Sequence, residues 1–171
     1  MKRTIAFTVL VMAAVTMGFT QKFAYVDTEY ILGRIPAYDA AQKQLDRQSE
    51  EWQKEIDAKR TEIEKLYKDY QAERVLLTED LRTRREDQII ETEKQMKDLQ
   101  KKYFSPDGML FKKRQELVKP IQDDVFNAIK QLATEGNYAV IFDAASGPVM
   151  LFKDPRYDKS DEVLEKMGIQ K

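Results

Sequence analysis

The sequence contains no histidine and no cysteine. Without histidine the chain lacks the commonest general base near neutral pH. Without cysteine it lacks a thiolate nucleophile, and the two absences together remove most zinc and copper sites. Disulfides are excluded too, so stability must come from packing and association. Glycine and proline are scarce, 6 and 5 in 171 residues. The scattered glycines form no phosphate-binding loop. Neither residue occurs between Ala37 and Ser105, so the strongest helix breakers are missing from the longest stretch of the chain. No sign of charge predominates either: 29 Lys and Arg face 30 Asp and Glu. This balance argues against nucleic acid, which needs a basic surface, and against a strong field directed at anionic lipid. The carboxylates lie at ion-pair spacing along predicted helices and not in an oxygen-rich loop suited to a hard cation. No catalytic residue, metal site or cofactor is expected, and the chain reads as a non-enzyme.

Turning to what is present, Lys2 and Arg3 precede an apolar run from Ile5 to Met17, followed by the small residues Gly18 and Thr20. That is the pattern of a signal peptide over residues 1–20, cleaved near Thr20. The run falls short of the ~20 residues that span a bilayer, so stable membrane insertion is not expected. No cysteine follows it, which excludes a lipoprotein anchor.

Between Ala37 and Ser105 the composition is dominated by Glu, Lys, Arg, Gln, Leu and Ala, which are strong helix formers. As one helix this stretch would reach roughly 100 Å. Leu45, Trp52, Ile56, Ile63, Leu66, Tyr70 and Leu77 form a heptad-like stripe, interrupted by Ser49, Lys59 and Glu73. Ile89, Met96, Leu99 and Tyr103 continue it, with Arg85 and Thr92 as gaps. The stripe loses phase near Thr78, a good N-cap followed by Glu79 and Asp80. A hairpin with its tip at Leu77 to Leu81 therefore accounts for the pattern better than a single rod. Acid-before-base pairs (Glu50–Lys54, Glu55–Lys59, Glu64–Lys68, Glu93–Lys97, Asp98–Lys102) are placed to support the helices.

Around this arm lie shorter elements. Lys22 to Asp27 reads as a strand, and Pro36 opens the first long helix. Ser105 to Gly108 (SPDG) breaks the chain before a helix from Met109 to Thr134 that Pro120 should kink and Gly136 should cap. Tyr138 to Asp143 and Val149 to Phe152 read as two strands, apolar on both faces, around a turn. A last helix spans Asp161 to Met167, capped by Asp158 or Ser160 and closed by Gly168. The expected fold is α+β, mostly α. A long antiparallel helical hairpin arm (residues 36–108) joins a small β-body (21–35 and 109–171). Three short strands leave much apolar edge, which invites completion by other subunits. Phe23, Tyr25, Val140, Phe142, Met150 and Phe152 are the candidate oligomerisation residues.

The segments KFAYVD, PAYDAAQKQL, LVKPIQDDVFNAIKQLATEGNYAVIFD and DKSDEVLEKM, in this order around long charged helices, give the chain its family likeness. It resembles the Skp/OmpH family of periplasmic chaperones over nearly all of the sequence after residue 20. The sharpest part is Leu117 to Asp143. The resemblance implies a jellyfish-like homotrimer in the periplasm, whose helical arms enclose unfolded outer-membrane proteins without ATP. Family members are often strongly basic, whereas this chain is balanced, so a simple electrostatic grip on clients is not expected. The arm residues with the strongest claim to client contact are Trp52 and Tyr67, large amphipathic rings, and the arginines Arg74, Arg82, Arg84 and Arg85 near the expected tip. For each there is a plainer role, seam packing for the rings and solvation for the arginines. A coiled-coil tether of the cell envelope is the competing reading. A peptidoglycan- or lipid-contacting module is a weaker one, which the balanced charge does not support.

Overall fold

The computed structural model describes residues 21–145, 147 and 150–169. The predicted signal segment and Val149 lie outside them. The chain is mostly helical with one small sheet. In order, the elements are β1 (Lys22–Val26), α1 (Thr28–Gly33), α2 (Pro36–Glu73), α3 (Glu79–Phe104), α4 (Met109–Leu117), α5 (Lys119–Gly136), β2 (Tyr138–Asp143), a 3-10 turn (Pro155–Tyr157) and α6 (Ser160–Lys166). They fall into two compact units. One comprises Leu32–Asp124, and the other residues 21–31 with the described residues from Val125 onward.

In the helical unit, Pro36 occupies the first turn of α2, where its missing N–H goes unneeded. Arg74 to Leu77 reverse the chain, slightly before the expected tip. Thr78 then caps α3, its hydroxyl accepting from Leu81 N at 3.5 Å. The two helices run antiparallel, with cross-links at Glu55 and Tyr103, Tyr67 and Glu93, and Tyr70 and Glu86. Ala41, Leu45, Trp52, Ile56 and Ile63 are buried on α2, and Ile89, Thr92 and Tyr103 on α3. Thr92, a gap in the apolar stripe, tolerates burial because its hydroxyl donates to Gln88 O within its own helix at 2.8 Å. Leu110 of α4 packs against two clusters, one at Trp52, Ile56 and Tyr103 and one at Ala41, Leu45 and Val118.

The expected acid-to-base pairs are not formed. Among the described residues none of the five closes to ion-pair distance. Glu55 instead accepts from Tyr103, Lys59 pairs with Glu62, and Glu93 accepts from Tyr67. An exposed i,i+4 pair is worth so little that a tyrosine across the seam outcompetes it.

The helix expected from Met109 to Thr134 is in fact two. Val118 ends α4, and Pro120 sits at the second position of α5, so it starts a helix and does not kink one. Gly136 is the last residue of α5. The left-handed residue after it is Asn137, at φ 54°, a position asparagine tolerates better than most side chains. Gly136 is needed for room: a Cβ there would stand 2.3 Å from the Tyr138 ring.

In the second unit, β1 and β2 pair in parallel, in the register Phe23 to Val140, Ala24 to Ile141 and Tyr25 to Phe142. The far edge of β1 is covered by Asp158 and Lys159, whose N–H donates to Tyr25 O at 2.9 Å. Ala24, Tyr25, Val26, Ile31, Val125, Ala128, Leu132, Val163 and Leu164 are buried. Buried Ser160 ties the unit together: its hydroxyl accepts from Asp27 N at 2.8 Å and donates to Asp158 at 2.6 Å. Asp143 similarly accepts from the backbone and hydroxyl of Thr28 at 3.2 and 2.7 Å. Residues 150–152, expected in a strand, are not in one. A strand needs a ladder partner, and among the described residues no backbone hydrogen bond joins 150–152 to β1 or β2. The chain beyond Met150 turns instead into the 3-10 segment at Pro155, with Leu151 99% exposed.

Candidate functional site

Two surfaces merit attention, one in each unit. The first is an open groove of about 740 Å³ beside the sheet. Alternation along β1 and β2 places Phe23 with Tyr25, and Val140 with Phe142, on common faces. Phe23, Tyr25, Tyr138, Phe142, Met150 and Phe152 line the groove, with Lys22, Lys153, Asp154 and Arg156 also on its wall. Five of the six candidate oligomerisation residues are thus brought together, and the sixth, Val140, is the register partner of Phe23. Tyr25 is the exception to the groove's openness. It is buried, and burial together with the nearby Asp158 and Asp154 carboxylates raises its phenol above the ordinary value. Phe142 is 50% exposed and Phe152 82%. The two-faced burial expected for the strands is therefore not achieved within one chain.

The second surface is the hairpin. Trp52 is buried in the seam, its ring stacked on Tyr103 at 4.8 Å and 6° between planes, with Phe104 edge-on at 6.4 Å. The structure therefore gives Trp52 the packing role; an incoming chain reaches it only if the seam opens. Tyr103 donates to Glu55 at 2.6 Å, and that hydrogen bond, with burial, holds its phenol above the ordinary value. Tyr67 is exposed and donates to Glu93 at 3.2 Å. Tyr70 donates to Glu86, which raises its phenol similarly.

The arginines at the tip are engaged with acids. Arg82 pairs with Glu79 at 3.3 Å, Arg84 with Asp80 at 3.1 Å and Arg85 with Glu73 at 3.5 Å. Arg74 contributes its carbonyl, which accepts from Arg82 Nε at 3.1 Å. Between them stand Val75 and Leu76, 86% and 87% exposed, and the exposed Leu81. These apolar tip residues were missed in the sequence, although the adjacent run VLL at positions 75–77 was there to suggest them. Also missed were Glu55, Glu86 and Glu93 as acceptors across the seam. Their acidic character pointed only to ion pairs within one helix.

Among the described residues no group of three or more carboxylates is placed to hold a metal ion. No helix among them is long and apolar enough to cross a membrane.

Comparison with known proteins places this architecture. A relative from Aquifex aeolicus (strain VF5), an uncharacterized protein, is 28% identical over 151 residues, 88% of each chain. A crystal structure from Caulobacter crescentus CB15, of a protein assigned as an OmpH-like outer membrane chaperone, superposes with a TM-score of 0.62. It shares 13% identity and covers 85% of this chain and 82% of its own, a likeness of fold. The family model described as Outer membrane protein (OmpH-like) matches residues 22–167, from the start of β1 to just beyond α6. The chain belongs to the OmpH-like family.

Proposed function

We propose that this protein is an ATP-independent holdase chaperone of the periplasm. It assembles as a homotrimer through the sheet unit and encloses unfolded outer-membrane proteins between three helical hairpins. Export follows from cleavage near Thr20. The observation that carries this reading is the family match over both units, residues 22–167. Two features of the structure support it. The groove at Phe23, Phe142 and Phe152 leaves apolar surface that further copies of the same chain would cover. The hairpin has a long exposed surface carrying a few aromatic and apolar side chains, which suits many weak contacts more than one tight site. Three such hairpins would hold a client by avidity.

The test is to dilute a urea-unfolded outer-membrane barrel protein into buffer with and without this protein, in the absence of nucleotide. Turbidity and light-scattering mass are followed together. The expected result is a soluble complex containing three copies of the chain. Aggregation of the barrel at the same rate as without the protein overturns the reading. Copurification of a folded, sequence-specific partner in place of unfolded clients would favour the envelope tether.

A further inference from the structure

The seam of the hairpin changes character along its length. From Ala41 to Ile63 on α2, and from Ile89 to Tyr103 on α3, it is closed by buried side chains. Beyond that point, none of the residues from Glu64 to Gln88 is buried. Leu66, Tyr70 and Leu77 are only half-buried there. Tyr67 to Glu93, beside buried Ile89 and Thr92, marks the end of the closed part, and the stretch beyond it is held by polar links: Tyr70 to Glu86, Arg85 to Glu73, and Arg82 to the carbonyl of Arg74. Such exposed links contribute little, and segments with few buried apolar contacts open at low free energy. The closed part, by contrast, has the Trp52–Tyr103 stack and fully buried Ile56.

We infer that the outer end of the hairpin, from Tyr70 across to Gln88, opens as a unit while the rest of the seam stays shut. The opened segment then presents Tyr70 and Leu77, together with Val75, Leu76 and Leu81, to an extended apolar stretch of a client polypeptide. The charges at the tip select this occupant. Arg82, Arg84 and Arg85 are each engaged with an acid, so the surface has no net field to attract a charged partner. What it offers is apolar side chains, with the Tyr70 hydroxyl released from Glu86 on opening and able to meet a client's backbone carbonyl. The role in client capture rests on the holdase reading; the opening itself does not.

The chain has no cysteine, so paired labels can be placed cleanly. One pair, Gln71→Cys with Asp87→Cys, lies near the outer links. The other, Lys54→Cys with Lys101→Cys, lies near the Tyr103–Glu55 link. All four positions are exposed, which keeps the risk of misfolding small. With spin labels, and labelled chains diluted in unlabelled ones, the outer pair should give a distance distribution at least about twofold broader than the inner pair. Adding an unfolded barrel protein should shift it to longer distance. Equally narrow distributions for both pairs overturn the opening. A short bismaleimide across the outer pair should abolish client holding, while the same linker across the inner pair should leave it intact. If the outer cross-link leaves holding at the wild-type level, the capture surface is refuted while the holdase reading stands. If the uncross-linked protein holds no client, the holdase reading fails and the spin-label result alone decides whether the seam opens.

Discussion

The two units use apolar residues in opposite ways. In the helical unit charged residues are frequent, yet the inner part of its sparse apolar stripe is covered, with Leu45, Trp52, Ile56 and Tyr103 all buried. In the sheet unit the strands are almost wholly apolar, yet Phe23, Val140 and Phe142 remain exposed. The difference is one of geometry. A helix buries one stripe, and a second antiparallel helix from the same chain is enough to cover it. A sheet of two short strands has two faces and little width, and α5 and α6 do not cover both. Among the described residues the inner hairpin therefore covers its own stripe, whereas the sheet unit leaves apolar strand residues open.

The largest test of that contrast separates the units. Replacing Tyr38 to Phe104 with a short Gly-Ser linker should leave a chain that still assembles but no longer suppresses aggregation of an unfolded barrel protein. An armless assembly that protects as well as the full chain would remove the hairpin from the mechanism. The converse change, Val140→Asp with Phe142→Asp, should leave the hairpin folded and yield monomers by sedimentation. Two carboxylates cannot be accommodated where apolar surfaces meet, because a buried unpaired charge is strongly destabilising. Wild-type sedimentation as a monomer contradicts the assembly outright.

How much of this was legible in the sequence follows the same division. The hairpin stripe could be read because its heptad spacing depends only on α2 and α3, which lie close together in the chain. Trp52 and Tyr103 were placed in or near the seam by spacing alone. The sheet was harder. A parallel β1–β2 pair joins residues more than a hundred apart, and local pattern carries no trace of which strand takes which edge. Val149 to Phe152 read as a strand on composition, although residues 150–152 are in none. The arginine cluster was visible, and the spacing of Arg82 with Glu79 and of Arg84 with Asp80 on one helix was there to suggest their pairing; only Arg85 with Glu73 depends on how the tip turns at Arg74 to Leu77.

Within the hairpin, burial decides the size of a truncation effect. Ile56→Ala, at one of the most buried side chains, should cost about 2–4 kcal/mol by chemical denaturation. Leu76→Ala, at the exposed tip, should stay within about 0.5 kcal/mol. Comparable losses at both positions would mean that the tip is covered in the assembled protein.

The next effect is smaller and depends on pH. The Tyr103 phenol is raised by its hydrogen bond to Glu55 and by burial. A raised value in the folded state means that folding favours the protonated phenol. Its contribution is therefore complete below the ordinary tyrosine range and is lost as pH rises through the raised folded value. Thermal stability should fall at alkaline pH, and Tyr103→Phe should remove part of that fall. The variant also loses a bond to a carboxylate, worth about 1–2 kcal/mol at neutral pH. An identical alkaline decline in the variant would assign it to other tyrosines.

The smallest expected effect concerns the charges that dominate the hairpin's composition. Glu50 and Lys54 have the spacing and order that stabilise isolated helices by about 0.2–0.5 kcal/mol per pair. Yet no ion pair joins them in the structure, and both are exposed. Holding two long side chains in one geometry loses rotamer freedom, and water at the surface weakens what is gained. Glu50→Gln with Lys54→Gln should therefore change stability by no more than about 0.3 kcal/mol, within the range of exposed pairs. Net charge is unaltered by the double change, so solubility gives an internal control. A loss as large as that of Ile56→Ala would mean that these side chains meet something in the assembled protein, and the outward face of α2 would have to be treated as an interface. If the change is silent, the charged residues are there to keep a long helix solvated, and the cohesion of the hairpin rests on the stripe and the tyrosine links.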